Sequence, residues 1–431
     1  MAMDGKELVE KLAKLSQVQS IKDIPQLTHA LFPGTHCPLM GAAMAVGGIK
    51  DSLIVVVGTD ECTYYTKSMT IHSEKFGGID GRCVSVVLDD HDVTFGSAEK
   101  VQEAFKEIIE EYRPQCVFLV TTCVIEIIGD DFDAISEGLS ELYGIPVLPV
   151  HTEHFKCEDH LPGLERTITV CAEMMKSCDC DNSVNLLGQR MGDFATTELY
   201  AMLQKAGVKI GLQLPCGCSV DDIKNAAAAK VNIVVNDIAL PLAQKMQEKF
   251  GIPYVYFNKF VIPEKIYEAY KNLFGYLELE LPGELEGLYQ NAREKIEKNK
   301  GELEGITYIY GNTPYAVFEM NCFLSSLGMV PQVIQTNRYT EADEPYAKEI
   351  LQYTDPYVCK AANIAPLQYV YDVLSPYLYL GHEFGNRLRQ KGIAIVHSDR
   401  ASGMLGFEVT GYLLQQLVKS VREAKEYRKE L

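Results

Sequence analysis

The sequence predicts an α/β protein of three Rossmann-like domains, each with a parallel, doubly wound sheet. Three observations lead to this prediction. Short apolar runs rich in Val and Ile, typical of buried strands, alternate with amphipathic helical patterns along most of the chain. This alternation starts afresh twice. The length of 431 residues also suits two to four domains of ordinary size.

The first domain is predicted over residues 30–182, after an N-terminal helical extension at 1–29 that opens with the charged amphipathic pattern MAMDGKELVEKLAKL. Its four strands are predicted from the runs SLIVVVG (52–58), CVSVVLD (83–89), CVFLVTT (116–122) and IPVLPVH (145–151). Apolar residues that recur every three or four positions predict helices at 97–112 and 131–144. A strand–helix–strand series of this kind forms a parallel sheet.

The second domain (183–300) and the third domain (301–431) repeat the pattern. Strands are predicted at 183–188, 208–215, 231–236, 253–258, 306–311, 329–336, 377–381 and 393–398. Helices are predicted at 194–206, 239–250, 284–300, 314–327, 382–391 and 407–428. Because no long Gly/Ser-rich linker separates the domains, we expect them to pack tightly against one another.

Composition narrows the classes of function. The formal net charge of −19 argues against a nucleic-acid partner, since binding phosphates needs a surplus of Lys and Arg. No apolar run approaches the roughly 18–20 residues that span a bilayer, and the charged N-terminus is not a signal peptide, so we expect a cytoplasmic protein. The chain has neither a G-x-x-x-x-G-K-[ST] loop nor a G-x-G-x-x-G turn after a strand. Any ATP or NAD is therefore expected on another chain.

The thirteen cysteines are about twice the usual share, and a reducing compartment makes a disulfide framework improbable. Cys62 follows the strand 52–57, and Cys123 follows the strand 117–120. Ligands of open parallel sheets bind outside the carboxyl ends of the strands, so topology places both cysteines at the functional edge. Cys37 precedes a helix N-terminus, where a thiolate is favoured. The alternative is that these cysteines are small core residues.

At these cysteines the sequence resembles the nitrogenase component 1-like oxidoreductases. This family includes molybdenum-iron protein subunits, the E and N chains of the cofactor scaffold, and dark-operative protochlorophyllide reductase. The resemblance rests on CPLMGAAMAVGGIKDSLIVVVGTDEC (37–62), DVTFGSAEKVQEAF (92–105) and TTCVIEIIGDDFDAI (121–135), in the family's order. The cysteine region looks most like the scaffold E-type chain. One departure is Val57-Gly58-Thr59, where the family usually has His-Gly-Pro.

The resemblance implies the nitrogenase component 1 fold and an iron–sulfur cluster, either [4Fe–4S] or P-cluster-like [8Fe–7S]. Cys37, Cys62 and Cys123 would be its ligands, and a partner subunit or symmetry mate would complete the set. The implied partners are an iron-protein-like ATPase reductase and either a second component 1-like subunit (an α2β2 assembly) or a second copy in a homodimer. The cluster would accept electrons from the reductase and pass them onward.

The resemblance also implies a second site between the domains, although only part of the family's pattern for that site is present in this sequence. Catalytic members of the family hold a large cofactor there through one Cys and one His. His397 stands at the His position, but VNIVVNDIALP (231–241), at the Cys position, has no cysteine. Cys216 and Cys218 follow a predicted strand and are either metal ligands or small residues of a tight turn, and Arg190 follows a strand where the family lines its cavity. A second metal cluster or a tetrapyrrole is the expected occupant.

Three functions remain open at this point. The first is a nitrogenase-like reductase subunit, an oxidoreductase that delivers electrons to a substrate between its domains. The second is a scaffold on which a nitrogenase-type cofactor is assembled. The third is a non-enzymatic cofactor-binding protein of the same fold.

Overall fold

A computed structural model describes residues 4–27, 36–71, 82–157, 159–190, 192–311, 313, 315–360 and 364–431. Within them lie three main sheets whose strands are parallel except for one edge strand, and helices flank each sheet. The predicted fold class is confirmed. No helix in this part of the chain is both long enough and apolar enough to cross a membrane.

The first unit contains one sheet of four strands. Its helices are α2 (Pro38–Gly47), α3 (Asp60–Ile71), α4 (Asp90–Phe95), α5 (Ala98–Tyr112), α6 (Cys123–Ile128), α7 (Phe132–Tyr143) and α8 (Leu161–Val170), after α1 (Gly5–Glu10) in the N-terminal segment. Its strands are β2 (Ile49–Lys50), β3 (Ser52–Gly58), β4 (Cys83–Val87), β5 (Cys116–Thr121) and β6 (Val147–Val150), after β1 (Ala13–Lys14) in the N-terminal segment. Strands β3 and β5 are buried along their whole length, which explains their unbroken apolar sequences.

The second unit repeats this architecture. Its strands are β7 (Val184–Gln189), β8 (Ile210–Pro215), β9 (Cys218–Ser219), β10 (Val231–Val234) and β11 (Tyr254–Tyr256). Its helices are α9 (Glu198–Lys205), α10 (Val220–Lys224), α11 (Leu240–Phe250), α12 (Pro263–Leu277) and α13 (Leu285–Leu303). The short strand β9 pairs with β2, which ties the second unit to the first.

The third unit has the largest sheet. Its strands are β12 (Thr307–Tyr310), β13 (Val330–Gln335), β14 (Tyr357–Cys359), β15 (Leu378–Leu380) and β16 (Ala394–Val396). Its helices are α14 (Val317–Ser326), α15 (Glu344–Tyr353), α16 (Ile364–Leu374), α17 (Gly385–Arg389) and α18 (Glu408–Glu430). The sheets fall within the predicted domains, whose bounds at 1–29, 30–182, 183–300 and 301–431 remain a prediction.

Strand order creates a switch point in every sheet. The orders are β4-β3-β5-β6 in the first sheet, β11-β10-β7-β8 in the second and β1-β14-β13-β12-β15-β16 in the third. Apart from the edge strand β1, the chain starts each sheet at an inner strand, adds strands on one side and then crosses to the other side. The switch points lie between β3 and β5, between β7 and β10, and between β12 and β15. Crevices form there, outside the carboxyl ends of the strands.

The sequence predicts a helical N-terminal extension, but the described part of it, residues 4–27, is not helical throughout. Helix α1 ends at Glu10, and the chain then adds β1 to the third sheet, antiparallel to β14. The Lys14 ammonium lies 3.6 Å from the ring centroid of Tyr357 and donates a hydrogen bond of 2.9 Å to the Asp355 carbonyl. These contacts stabilise an extended conformation at Ala13 and Lys14. Pairing with the edge of the sheet therefore decides the structure here, rather than the local helical pattern.

Candidate metal centre

The first switch point brings two of the predicted cysteines to one place. Strands β3 and β5 are neighbours in register, with Val57 opposite Thr121. Cys62 lies in the first turn of α3, four residues beyond β3, and Cys123 is the first residue of α6, two residues beyond β5. Both thiols therefore stand at the carboxyl edge of adjacent strands, as predicted.

Gly58 allows the two loops to approach each other closely. A Cβ atom at this position would overlap the Thr122 hydroxyl and would lie 3.0 Å from its Cβ. Thr122 directly precedes Cys123, and Gly58 leads into the helix that holds Cys62. Any larger side chain at position 58 would occupy this space and push the two cysteine loops apart.

The three predicted cysteines lie near enough to one another for Cys37 and Cys123 to act electrostatically on Cys62. Burial raises the pKa of the Cys62 thiol above its usual value, and the nearby thiols of Cys123 and Cys37 raise it further, while a hydrogen bond with Thr59 acts in the opposite direction. All three thiols are partly exposed and unpaired by disulfides. Cys37 is the N-cap of α2, Cys62 lies in the first turn of α3 and Cys123 is the first residue of α6, so all three lie near the N-terminus of a helix.

This donor set has the chemistry of a cluster site. The amide ends of three helices favour a negative charge, either on thiolates or on an anionic group that the thiolates bind. No three His, Cys, Asp or Glu side chains of the described residues lie close enough together to hold a single metal ion. In an iron–sulfur cluster each cysteine binds a different iron atom. A cluster therefore suits thiols that lie near one another but too far apart to bind a single metal ion.

Seven of the other cysteines differ in their burial. Burial raises the pKa of the Cys83, Cys116, Cys322 and Cys359 thiols to about 12; the last three are core residues, and Cys83 is partly buried against the core. Cys171 is fully buried as well, and burial again raises its pKa. By contrast, Cys178 and Cys180 are exposed. The exposed pair therefore offers a control for experiments on the converging cysteines.

The second-site candidates do not all lie together. Cys218 is buried in the core, on the strand that pairs with β2, and burial raises its pKa to about 12, which favours a structural role. His397 is exposed and lines a crevice of about 120 Å³ with His382, Glu383 and Asp399. That crevice is lined by the third unit alone, and neither Cys216 nor Arg190 contributes to its wall.

Arg190 and Cys216 do meet, at the carboxyl edge of the second sheet. The Cys216 thiol donates a hydrogen bond of 3.3 Å to the Arg190 carbonyl. The Arg190 guanidinium reaches His160 of the first unit, with 3.1 Å between Nη2 and Nε2. Because a guanidinium only donates, His160 must accept, and its ring is neutral. Burial and the charge of Arg190 lower the pKa of His160 to about 4, in agreement with this assignment.

Sequence patterns missed two residues of this region, His160 and Lys259. Lys259 follows β11, and it is 7% exposed. Burial and repulsion by Arg190 lower the pKa of its ammonium to about 8. One signal was available, because Lys259 is the only charged residue of the apolar run 252–262. Nothing in the sequence links His160 to Arg190, since they belong to different units.

A series of aromatic and polar contacts connects the two regions. The ring of His36, next to Cys37, accepts or donates a hydrogen bond of 2.7 Å between its Nδ1 and the Tyr65 hydroxyl. The same ring meets the ring of His160 edge to face, with 6.3 Å between centroids. His160 in turn contacts Arg190. His36 at the edge of the first sheet therefore contacts Arg190 at the edge of the second sheet through a single intervening residue, His160.

These features define an α/β protein of three doubly wound sheets with three neighbouring cysteines at the edge of the first. The comparison with protein families identifies the class more closely. The chain belongs to the nitrogenase component 1 type oxidoreductase family, whose model matches residues 37–422. The resemblance predicted from the cysteine motifs is confirmed.

Individual relatives agree with this family. The chain is similar to the nitrogenase iron-molybdenum cofactor biosynthesis protein NifE of Clostridium pasteurianum, with 31% identity over 224 residues, 51% of this chain and 49% of that protein. It is also similar to the nitrogenase molybdenum-iron protein alpha chain of Methanosarcina barkeri, with 24% identity over 73% of this chain and 62% of that one. The matches thus span about half to two thirds of the relatives' lengths.

A solved structure shares the fold along nearly the whole chain. The structure titled nitrogenase Cp1 at pH 6.5 superposes with a TM-score of 0.78 and covers 94% of this chain and 95% of its own. The sequence identity is 15%. At this identity the likeness shows the fold alone.

Proposed function

We propose that this chain holds an iron–sulfur cluster through Cys37, Cys62 and Cys123 and acts as a scaffold subunit in the assembly of a nitrogenase-type iron–sulfur cofactor. The observation that supports this most strongly is the convergence of the three thiols at the first switch point. The scaffold role is favoured over a catalytic one by the likeness to the Clostridium pasteurianum relative, a cofactor biosynthesis protein.

The residues present fit such a cluster. Three thiols from three helix N-termini supply three of the four ligands that a four-iron cluster needs. The bound cluster would supply one-electron redox chemistry. The chain's own part is to hold the three thiolates apart at fixed positions, and to limit water around them, as the partial burial of Cys62 indicates.

A partner chain would complete the ligand set, and the surface around the cysteines suits one. Large apolar side chains at the carboxyl edge of the first sheet are exposed, including Phe95 at 76% and Tyr64 at 73%. We call this group the cluster-edge surface; it comprises Tyr64, Val87, Val93, Phe95, Ile127 and Phe155. Exposed apolar groups gathered at one edge are typical of an interface. The partner is a second component 1-like subunit or a second copy, and an iron-protein-like ATPase reductase would supply electrons.

The second candidate function is that of a nitrogenase-like reductase subunit. It is favoured by the contacts from His36 through His160 to Arg190, which join the cysteine edge to a separate polar site. The likeness to the Methanosarcina barkeri alpha chain over 73% of this chain agrees with it. In this case the cluster would relay electrons toward the second sheet.

Anaerobic reconstitution with iron and sulfide tests the proposal and separates the two functions. Iron and sulfide are measured per chain, together with the oligomeric state. An iron content beyond one four-iron cluster per chain pair, with part of it transferable to an acceptor protein, supports the scaffold. One retained four-iron cluster per chain pair supports the reductase. Protein that takes up no iron under these conditions contradicts both.

A further inference from the structure

Two exposed cysteines, Cys178 and Cys180, lie one residue apart where the chain passes from α8 of the first unit to β7 of the second. All the other cysteines of the sequence are buried or partly buried. The exposed pair takes no part in the site described above. Exposed thiols are open to reaction and to metal binding, whereas buried ones mainly pack. The position of this pair therefore indicates a role at the surface.

The segment that carries the pair is held at both ends. Near its start, the Lys176 amide donates a hydrogen bond of 2.9 Å to the Lys224 carbonyl. Near its end, the Asp181 amide donates one of 2.9 Å to the Ala228 carbonyl. Both carbonyls belong to the second unit, and every residue from 176 to 182 is exposed. The two thiols thus lie on a segment that is anchored to the second unit and open to solvent.

The spacing of the two cysteines allows both thiols to bind one ligand. Residues 175–181 form no helix, strand or turn. In an extended chain the side chains of residues i and i+2 lie on the same side. The Cys178 thiol donates a hydrogen bond of 3.1 Å to the Lys176 carbonyl, which is a weak bond that loss of the thiol proton would release.

The number of donors determines which kind of ion the pair can hold. Thiolates are soft ligands that favour Cu(I), Zn(II) and iron–sulfur clusters. Structural Zn(II) sites and four-iron clusters need about four protein ligands. Among the described residues, no third His, Cys, Asp or Glu side chain joins the pair as a further metal ligand. Cu(I) is satisfied by two thiolates in a linear arrangement, so it is the ion that this donor set fits.

We propose that Cys178 and Cys180 form a surface site that binds one Cu(I) ion through two thiolates. Binding forms two Cu–S bonds and releases both thiol protons to solvent. No electron is transferred, because the ion enters and leaves as Cu(I). A reducing environment keeps copper in this state and keeps both thiols free. The inference goes beyond the proposed function, since it uses none of the three cluster cysteines.

Anaerobic titration of the purified, iron-free full chain with Cu(I) tests this site. The free Cu(I) concentration is set with bathocuproine disulfonate, and each cysteine is then assayed by iodoacetamide alkylation and peptide mass mapping. Cu(I) is supplied beyond one ion per chain, because the three neighbouring cysteines Cys37, Cys62 and Cys123 can also take one. We expect Cys178 and Cys180 to become protected together. Because the peptide map follows each cysteine separately, this result is independent of the cluster proposal.

Variants at the pair distinguish joint binding from the reactivity of single thiols. In Cys178→Ser, protection of Cys180 should need a free Cu(I) concentration at least about tenfold higher, because the second thiolate no longer acts at high local concentration. Cys180→Ser should have the same effect on Cys178. Ser177→Ala, in the same exposed segment, is the matched control and should behave as the wild type does. Absence of protection in the wild type, or equal protection of Cys180 in the wild type and in Cys178→Ser, overturns the proposal.

Discussion

Replacement of Lys259 by Met should stabilise the ligand-free protein. A fall in the pKa of the ammonium from 10.5 to about 8 corresponds, at about 1.4 kcal/mol per pKa unit, to a penalty of about 3 kcal/mol for holding the charge in the folded state. Burial is the larger cause, followed by repulsion from Arg190, and Asp237 offsets part of both. Methionine keeps the length of the side chain and removes the charge.

The dependence on pH follows from the sign of the shift. The unfolded chain binds the proton more tightly than the folded chain does. The full penalty therefore applies below about pH 8, and it fades as the pH rises from about 8 toward 10.5, where the amine is neutral in both states. The advantage of Lys259→Met over the wild type should fall by about 2 kcal/mol between pH 7 and pH 9.5.

Urea unfolding at both pH values measures this difference. Far-UV circular dichroism is the suitable signal, because the chain contains no Trp. Lys245→Met should change stability by no more than about 0.5 kcal/mol, without the same trend, as expected for a surface ion pair. A Lys259→Met variant that is less stable than the wild type at pH 7, or whose advantage does not shrink at pH 9.5, would refute the argument that burial of the ammonium costs more than nearby negative charge returns.

Two further predictions concern stability and loop geometry. Glu319 is buried with one carboxylate oxygen unpartnered, and burial raises its pKa from 4.5 to about 7. The free energy of unfolding of the wild type should therefore fall by about 3 kcal/mol as the pH rises from about 4.5 to above 7. Glu319→Gln should therefore be the more stable protein at pH 8 in urea unfolding, and equal stabilities at pH 5 and pH 8 would contradict this. Gly58→Ala should overlap Thr122, destabilise the fold by about 1–3 kcal/mol and lower the iron content after reconstitution. Gly138→Ala, in α7 with open space around it, is the control and should be neutral or slightly stabilising; equal iron content in the two variants would count against the role of Gly58.

The sequence was sufficient for the sheets and for the cysteine edge, because both depend on local pattern and on chain order. Strands such as 52–58 and 116–121 are buried on both faces and are therefore apolar throughout. Parallel connection then places whatever follows them at one edge, which is how Cys62 and Cys123 were found. The strand β14, Tyr357–Cys359, was missed because, unlike the equally short β15 and β16, it is not part of a longer apolar run.

The rest depended on contacts between distant parts of the chain. The N-terminal segment pairs with β14 through Lys14 and Tyr357, which are separated by most of the sequence. The site at Arg190 needs His160 from the first unit, and no spacing rule connects the two residues. His397 was placed by family position, and the structure shows its side chain in a crevice of the third unit.

The iron content of cysteine variants tests the central claim most directly. Cys37→Ser, Cys62→Ser and Cys123→Ser are each reconstituted anaerobically beside Cys180→Ser, whose thiol is exposed and away from the core. The account predicts that each of the first three loses most of its iron and its visible iron–sulfur absorbance, while Cys180→Ser retains both. Full iron and absorbance in all four variants would contradict it.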